Sequence, residues 1–214
     1  MFGISDGLVS NMGLILGVAG ADPQPAVVRL AGLAGLIAGA ISMAAGEYNS
    51  MRVQSELLLR ELRIEARELR RRPEHETREL AAIYEERGLA PEQARDVAEA
   101  LMSDPEMALE AHAREELGID PQRLGSPRAA AVSSFFAFSL GALIPLAPWF
   151  VTSGNAAKAA SLVLGVVAAA VVGWLIGRST DRPIVRAIVR QVLFTVIPAL
   201  ITFAIGNALG VGTG

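Results

Sequence analysis

Apolar positions run almost without a break from about residue 4 to 48 and again from about 129 to 209, and between them charges recur every second or third position. The first run, 4–21, stops at Asp22-Pro23, which suits a turn at a membrane face. A second run occupies 27–48, with Gly32, Gly35 and Gly39 spaced for the close approach of another backbone. No Pro or Gly follows Gly46 until Pro73, so this helix is predicted to leave the membrane and continue into the charged stretch. There, residues 55–72 place Leu57, Leu58, Leu62, Ile64 and Leu69 among charges, a helical period with a narrow apolar stripe. Further helices are predicted over 74–87, closed by Gly88, over 91–102, opened by Pro91, and over 105–117, closed by Gly118. Beyond the loop at Asp120-Pro121 and Gly125-Ser126-Pro127, a third apolar run, 129–151, is kinked or adjusted near Pro145 and Pro148. Runs at 159–176 and 192–209 complete five predicted spans.

The expected fold is therefore all-α: a five-span bundle, residues 1–51 and 129–214, with a small helical domain, 52–128, between spans two and three. Basic residues orient it. If 52–128 is cytoplasmic, Arg178, Arg182, Arg186 and Arg190 between spans four and five are also inside, while the outer loops carry only Arg29 and Lys158. The N-terminus is then inside and the C-terminus outside.

Composition agrees with this pattern. The 214 residues are 52% hydrophobic, and the mean hydropathy is +0.41, too apolar for an ordinary soluble domain. Segment 52–128 holds 13 of the 19 basic and 18 of the 22 acidic residues. A net charge of −3, with bases interleaved among acids, gives no footprint for nucleic acid. With no Cys, disulfides and thiolate metal sites are excluded, and carboxylate, imidazole and thioether remain as ligands. One lysine against 18 arginines fits a GC-rich, bacterial genome. The first run has no basic lead-in and already carries Asp6, so it does not read as a cleavable signal. Its abrupt start fits either a stand-alone form or a trimmed chain.

Only four acids lie outside the charged stretch, Asp6, Asp22, Glu47 and Asp181, and two of them sit in apolar runs. Asp6 costs about 2.5 to 3.5 kcal/mol at a helix centre and less near the interface. It reads either as a helix-end cap or as part of a polar pathway, with Ser10 and Asn11 as neutral oxygens nearby. Met43 and Glu47, four apart, share a helix face. A thioether beside a carboxylate suits a borderline cation such as Fe²⁺ better than Mg²⁺ or Ca²⁺. Core filling by Met43 and snorkelling by Glu47 is the competing account. In the charged stretch, Glu65 and Glu68 form one E-x-x-E pair, preceded by Glu61, and Glu76 and Glu79 form another beyond Pro73. A hairpin that joins both faces is how carboxylate-rich bundles assemble multi-metal sites. His112, Glu115 and Glu116 follow at ligand-compatible spacing. Spacing alone leaves a solvated, ion-paired face as the stronger reading of these glutamates.

Taken together, these residues resemble the vacuolar iron transporter family over nearly the whole chain. The resemblance is carried by Ser5-Asp6-Gly7-Leu8-Val9-Ser10-Asn11 with Gly17-Val18-Ala19-Gly20-Ala21, by Met43-Ala44-Ala45-Gly46-Glu47-Tyr48, by Pro73, Glu76, Glu79, Tyr84 and Gly88-Leu89, and by His112-Ala113-Arg114-Glu115-Glu116-Leu117-Gly118. It implies a homodimer of five-span subunits that exchanges Fe²⁺ for protons, with a cytoplasmic metal-binding domain. Pathway residues fall on Asp6 and Met43, with Glu47 in the adjacent motif, and metal ligands on Glu65, Glu68, Glu76, Glu79 and Glu116. Where some members carry a pair of methionines, this chain has His112 and Ala113, so an imidazole replaces a thioether and metal preference is open. The Ser10-Asn11 wording also resembles bacterial proteins in which this module follows a ferritin-like domain.

The expectation is a non-enzymatic, proton-coupled exporter of Fe²⁺, with Mn²⁺ or Zn²⁺ as further candidate ions, without a prosthetic group. Its partners are lipid, divalent metal, protons and a second copy of the chain. The bacterial inner membrane is the expected site, or a vacuolar membrane in a eukaryote. A membrane-anchored metal buffer or sensor, and a metal-free scaffold, are the rival classes, and the intramembrane Asp6 and Glu47 argue against both.

Overall fold

A computed structural model describes residues 2–118, 120, 125–180 and 183–210. The described elements are helices α1 (Phe2–Gly20), α2 (Pro25–Arg71), α3 (Pro73–Glu86), α4 (Pro91–Met102), α5 (Pro105–Glu115), α6 (Pro127–Leu146), α7 (Gly154–Ser179) and α8 (Ile184–Gly210), with a 3₁₀ turn, Ala147–Phe150, after α6. Five of them, α1, α2, α6 with its 3₁₀ turn, α7 and α8, are long and apolar enough to cross a membrane. The chain divides into two compact units, Met1–Tyr48 with Arg128–Gly214, and Asn49–Pro127.

In the first unit α1 is the central helix. Its apolar window is 56% buried, against 11% for α8. Leu8, Met12, Ile15, Leu16 and Ala19 are all buried. Ile15 and Ala19 pack with Val28, Leu146, Trp149 and Ala157, and Met12 and Leu16 pack with Ala199. With hydrocarbon outside, the burial of apolar surface separates these helices from lipid only weakly, so close packing matters more. Small residues provide it: a Cβ on Gly7 would collide with the Phe138 carbonyl oxygen, and one on Gly141 with the Ile4 carbonyl oxygen, so α1 and α6 cross backbone to backbone. By contrast, Leu30, Leu33, Ile37 and Ile41 of α2 and Val189, Leu193 and Ile197 of α8 are exposed.

Several buried or half-buried polar side chains of this unit are tied to backbone carbonyls. Ser161 donates to the Pro145 carbonyl oxygen at 2.7 Å and accepts from Trp149 Nε1 at 3.0 Å. A carbonyl near a helix proline is a natural acceptor, because the ring disrupts the local ladder. Thr202 donates to the Gly13 carbonyl oxygen at 2.7 Å, which fixes α8 on α1. The adjustment expected near Pro145 and Pro148 takes the form of the 3₁₀ turn that follows Leu146.

The last span departs from expectation. It begins at Ile184, directly after Pro183, rather than near 192, so Arg186 and Arg190 lie on the first turns of α8 and not in a loop. Arginine is a good helix former with a long stem, and charge at a helix end does not stop a helix. Arg178 closes α7 and stacks 5.9 Å from the Trp174 ring. Pro121, Asp181 and Arg182, which entered the reading of the loops and of the orientation, lie outside the described residues.

In the second unit, α3 packs on α4 and α4 on α5 around Leu80, Ala81 and Ala98, with Tyr84, Leu101 and Ala111 at the edge. Pro73, Pro91 and Pro105 each open a helix where the missing N–H costs nothing. Asp104 caps α5 by accepting from the backbone N–H groups of Glu106 and Met107. Gly88, at φ 99°, takes the left-handed conformation that ends α3.

Candidate metal sites

Within the first unit a cavity of about 280 Å³ is lined by Asp6, Ser10, Asn11, Ser42, Met43 and Phe138, among others. Helical spacing places Asp6 and Ser10 one turn apart on α1, and Ser10 Oγ donates to the Asp6 carbonyl oxygen at 2.5 Å. That bond occupies the hydroxyl proton and leaves the Asp6 carboxylate to the cavity. α2 contributes Ser42 and Met43. The fold therefore brings Asp6 and Met43 to one cavity. Glu47, one turn beyond Met43, is exposed and is not among the lining residues.

The second unit gathers its carboxylates in two groups. In one, His112 Nδ1 lies 3.2 Å from Glu65 Oε1 and 3.5 Å from Glu116 Oε2. The His112 side chain is fully buried, that of Glu65 is 8% exposed, and Glu116 is at the surface. The contact to Glu65 Oε1 is at ion-pair distance without hydrogen-bond alignment, so among the described residues that oxygen has no hydrogen-bond partner, and neither has His112 Nε2. Buried polar atoms left unpaired cost about 1 to 3 kcal/mol each. In the second group His75 Nδ1 lies 3.3 Å from Glu76 Oε1 and 3.6 Å from Glu79 Oε2, with Glu76 buried. In each group one ligand atom per residue falls within 4.8 Å of the others, the spread a single cation can gather.

Glu68 belongs to neither group and is exposed, but its charge reaches Glu65. Burial, and then the charges of Glu116, Glu76, Glu68 and Glu79, raise the Glu65 carboxyl to about 7. Those contributions place all five glutamates in one electrostatic neighbourhood. A divalent cation between His112 Nδ1 and the two carboxylates would relieve the repulsion and engage Glu65 Oε1, and two carboxylates with an imidazole make a donor set for Fe²⁺, Mn²⁺ or Zn²⁺.

Glu115 departs from the sequence reading. It pairs with Arg87 and with Tyr84, whose phenol burial pushes up, and so faces away from His112. A helix cannot aim two successive residues at one point, and Glu116 is the one that sits a turn from His112. His75 was not singled out from sequence. The available signal was its spacing of four from Glu79.

Residues 1–207 match the VIT family. The chain belongs to that family. Vacuolar iron transporter 2 of Oryza sativa subsp. japonica is 36% identical over 184 residues, covering 84% of this chain and 74% of the relative. Vacuolar iron transporter 1 of Eucalyptus grandis is 34% identical over 185 residues, 85% of this chain and 73% of its own. A vacuolar iron transporter of Acanthamoeba castellanii is 42% identical over 140 residues, 65% of this chain and 52% of its own. VIT-family membership, expected from the Asp6 and Met43 motifs, is thus borne out, and the matched region contains every candidate ligand named above.

Proposed function

We propose that the chain is a proton-coupled exporter of Fe²⁺, with Mn²⁺ as a second cargo, and not an enzyme. The observation that carries this reading is the convergence of buried Glu65, buried His112 and Glu116 on one point, where Glu65 Oε1 has no hydrogen-bond partner among the described residues. The vacuolar iron transporters among its relatives support iron as the cargo. In this reading segment 52–128 is a cytoplasmic metal-binding domain that gathers the ion through Glu65, Glu68, Glu76, Glu79, His112 and Glu116. Asp6 and Met43, with Glu47 at the approach, carry it across, and carboxylate protonation supplies the coupling. The working form is a homodimer in a bacterial inner membrane, with spans in 1–51 and 129–214.

The test is Fe²⁺ uptake by liposomes that hold the full chain, under an imposed pH gradient. Uptake that depends on the gradient and is lost in Asp6→Ala is the expected result. Metal binding by the whole chain without flux would replace this reading by that of a membrane-anchored buffer.

A further inference from the structure

Asn11 is 2% exposed and sits in the middle of α1, where an amide is costly unless both of its ends are engaged. One end is. Its Nδ2 donates to the Ala142 carbonyl oxygen at 2.7 Å. That acceptor fixes the amide orientation, because a carbonyl oxygen cannot bond to the amide oxygen, and Oδ1 must therefore point the other way. Oδ1 has no hydrogen-bond partner among the described residues.

Asn11 is one of the residues that line the cavity shared with Asp6, Ser10 and Met43. Across that space stands Gly35 of α2, where a Cβ would lie 2.9 Å from Asn11 Oδ1, closer than side chains pack. With no side chain on Gly35, what covers the oxygen there is the movable end of Leu14, whose Cδ2 lies closer still to the same point. A buried carbonyl dipole, oriented by a bond on its far side and opposed by a glycine, has the form of a cation ligand. Ser10 supplies the contrast, since its hydroxyl is satisfied within its own helix.

We infer that Asn11 Oδ1 is a direct, neutral oxygen ligand for the cation that occupies the Asp6–Met43 cavity. This rests on the transport reading above and adds a specific donor to it. The site then offers one carboxylate, one thioether and one amide oxygen. Such a set bears a single formal charge, holds a partly dehydrated divalent cation, and does not hold it so tightly that it cannot leave.

Initial rates of Fe²⁺ uptake into liposomes, measured against concentration for the full chain, test it. Asn11→Leu keeps the branched shape in a larger side chain and removes both polar atoms. Its KM for Fe²⁺ is expected to rise roughly tenfold to a hundredfold, as for loss of one contact to a charged group, with a smaller change in the maximal rate. Gly35→Ala leaves Asn11 and Asp6 intact, pushes the end of Leu14 aside and crowds the oxygen, and it should raise KM in the same direction. A merely structural asparagine would lower the amount of active protein and leave KM where it was. Unchanged KM in both variants, with Asp6→Ala inactive, overturns the inference and leaves the transport reading standing. Full uptake in Asp6→Ala overturns the transport reading itself. Should Asn11→Leu fail to fold, Gly35→Ala decides alone.

Discussion

The cavity of α1 and α2 and the cluster around Glu65 draw on the same ligand chemistry in opposite amounts. The first has one carboxylate among neutral donors. The second crowds five glutamates and two histidines, and holds Glu65 near 7 by burial and mutual repulsion. In the cytoplasmic domain proposed above, such density of charge would make a strong cation site, at the cost of a proton taken up when no metal is there. In a spanning helix each added carboxylate costs about 2.5 to 3.5 kcal/mol, so a sparse, mixed set is what the membrane tolerates. In the proposed route the dense cluster gathers the ion and the sparse cavity passes it on.

The largest effect that would sharpen this contrast is on flux. Asp6→Ala should lower Fe²⁺ uptake by on the order of a hundredfold while the metal affinity of the Glu65 cluster, read by calorimetry, stays put. Flux that survives would break the assignment of the cavity. Next, His112→Ala should weaken Fe²⁺ or Zn²⁺ binding by at least roughly tenfold to a hundredfold, the range seen when a group that merely supports a metal ligand is lost, and equal titration curves would remove the cluster from the route.

A pH experiment probes the dense cluster through stability and metal affinity, which respond with opposite signs. The folded chain protonates Glu65 near 7, the unfolded chain near 4.5, so the metal-free protein gains stability as pH falls from 8 through that window and loses it as pH rises. Metal needs the carboxylate, so affinity falls over the same window. Thermal melting at pH 5.5 and 8, with Glu65→Gln flattening the difference, checks the first half; a difference that persists in Glu65→Gln assigns it elsewhere. The smallest effect is expected at Arg95 and Glu99, an exposed pair at 3.6 Å with side chains 72% and 63% exposed. Arg95→Ala should change stability by less than about 0.5 kcal/mol and binding not at all, and a larger loss in the melting curve would mean that surface charge matters more than burial.

Much of the helical order was legible in the chain, because its punctuation is local. Pro73, Pro91 and Pro105 open helices, Gly88 and Gly118 follow them, and the lack of a breaker between Gly46 and Pro73 gave one long α2. The apolar run places the fifth span from about 192, whereas α8 begins at Ile184, because charge does not end a helix and Pro183 is what acts on the backbone there. The Glu65, Glu76 and His112 positions were named from their spacing, yet periodicity could not distinguish them from the solvated glutamates of the same helices. Burial did that, and burial depends on residues far apart in sequence.

Sequence by itself thus determined the number of apolar helices, the segregation of charge into 52–128 and the candidate donors, since propensity, periodicity and composition act over a few residues. Tertiary structure decided which donors meet. It set His112 against Glu65, turned Glu115 toward Arg87, left Glu47 outside the cavity lining and aimed the Asn11 oxygen toward Gly35. Each of these follows from side-chain direction and packing between helices, which no local rule along a single chain contains.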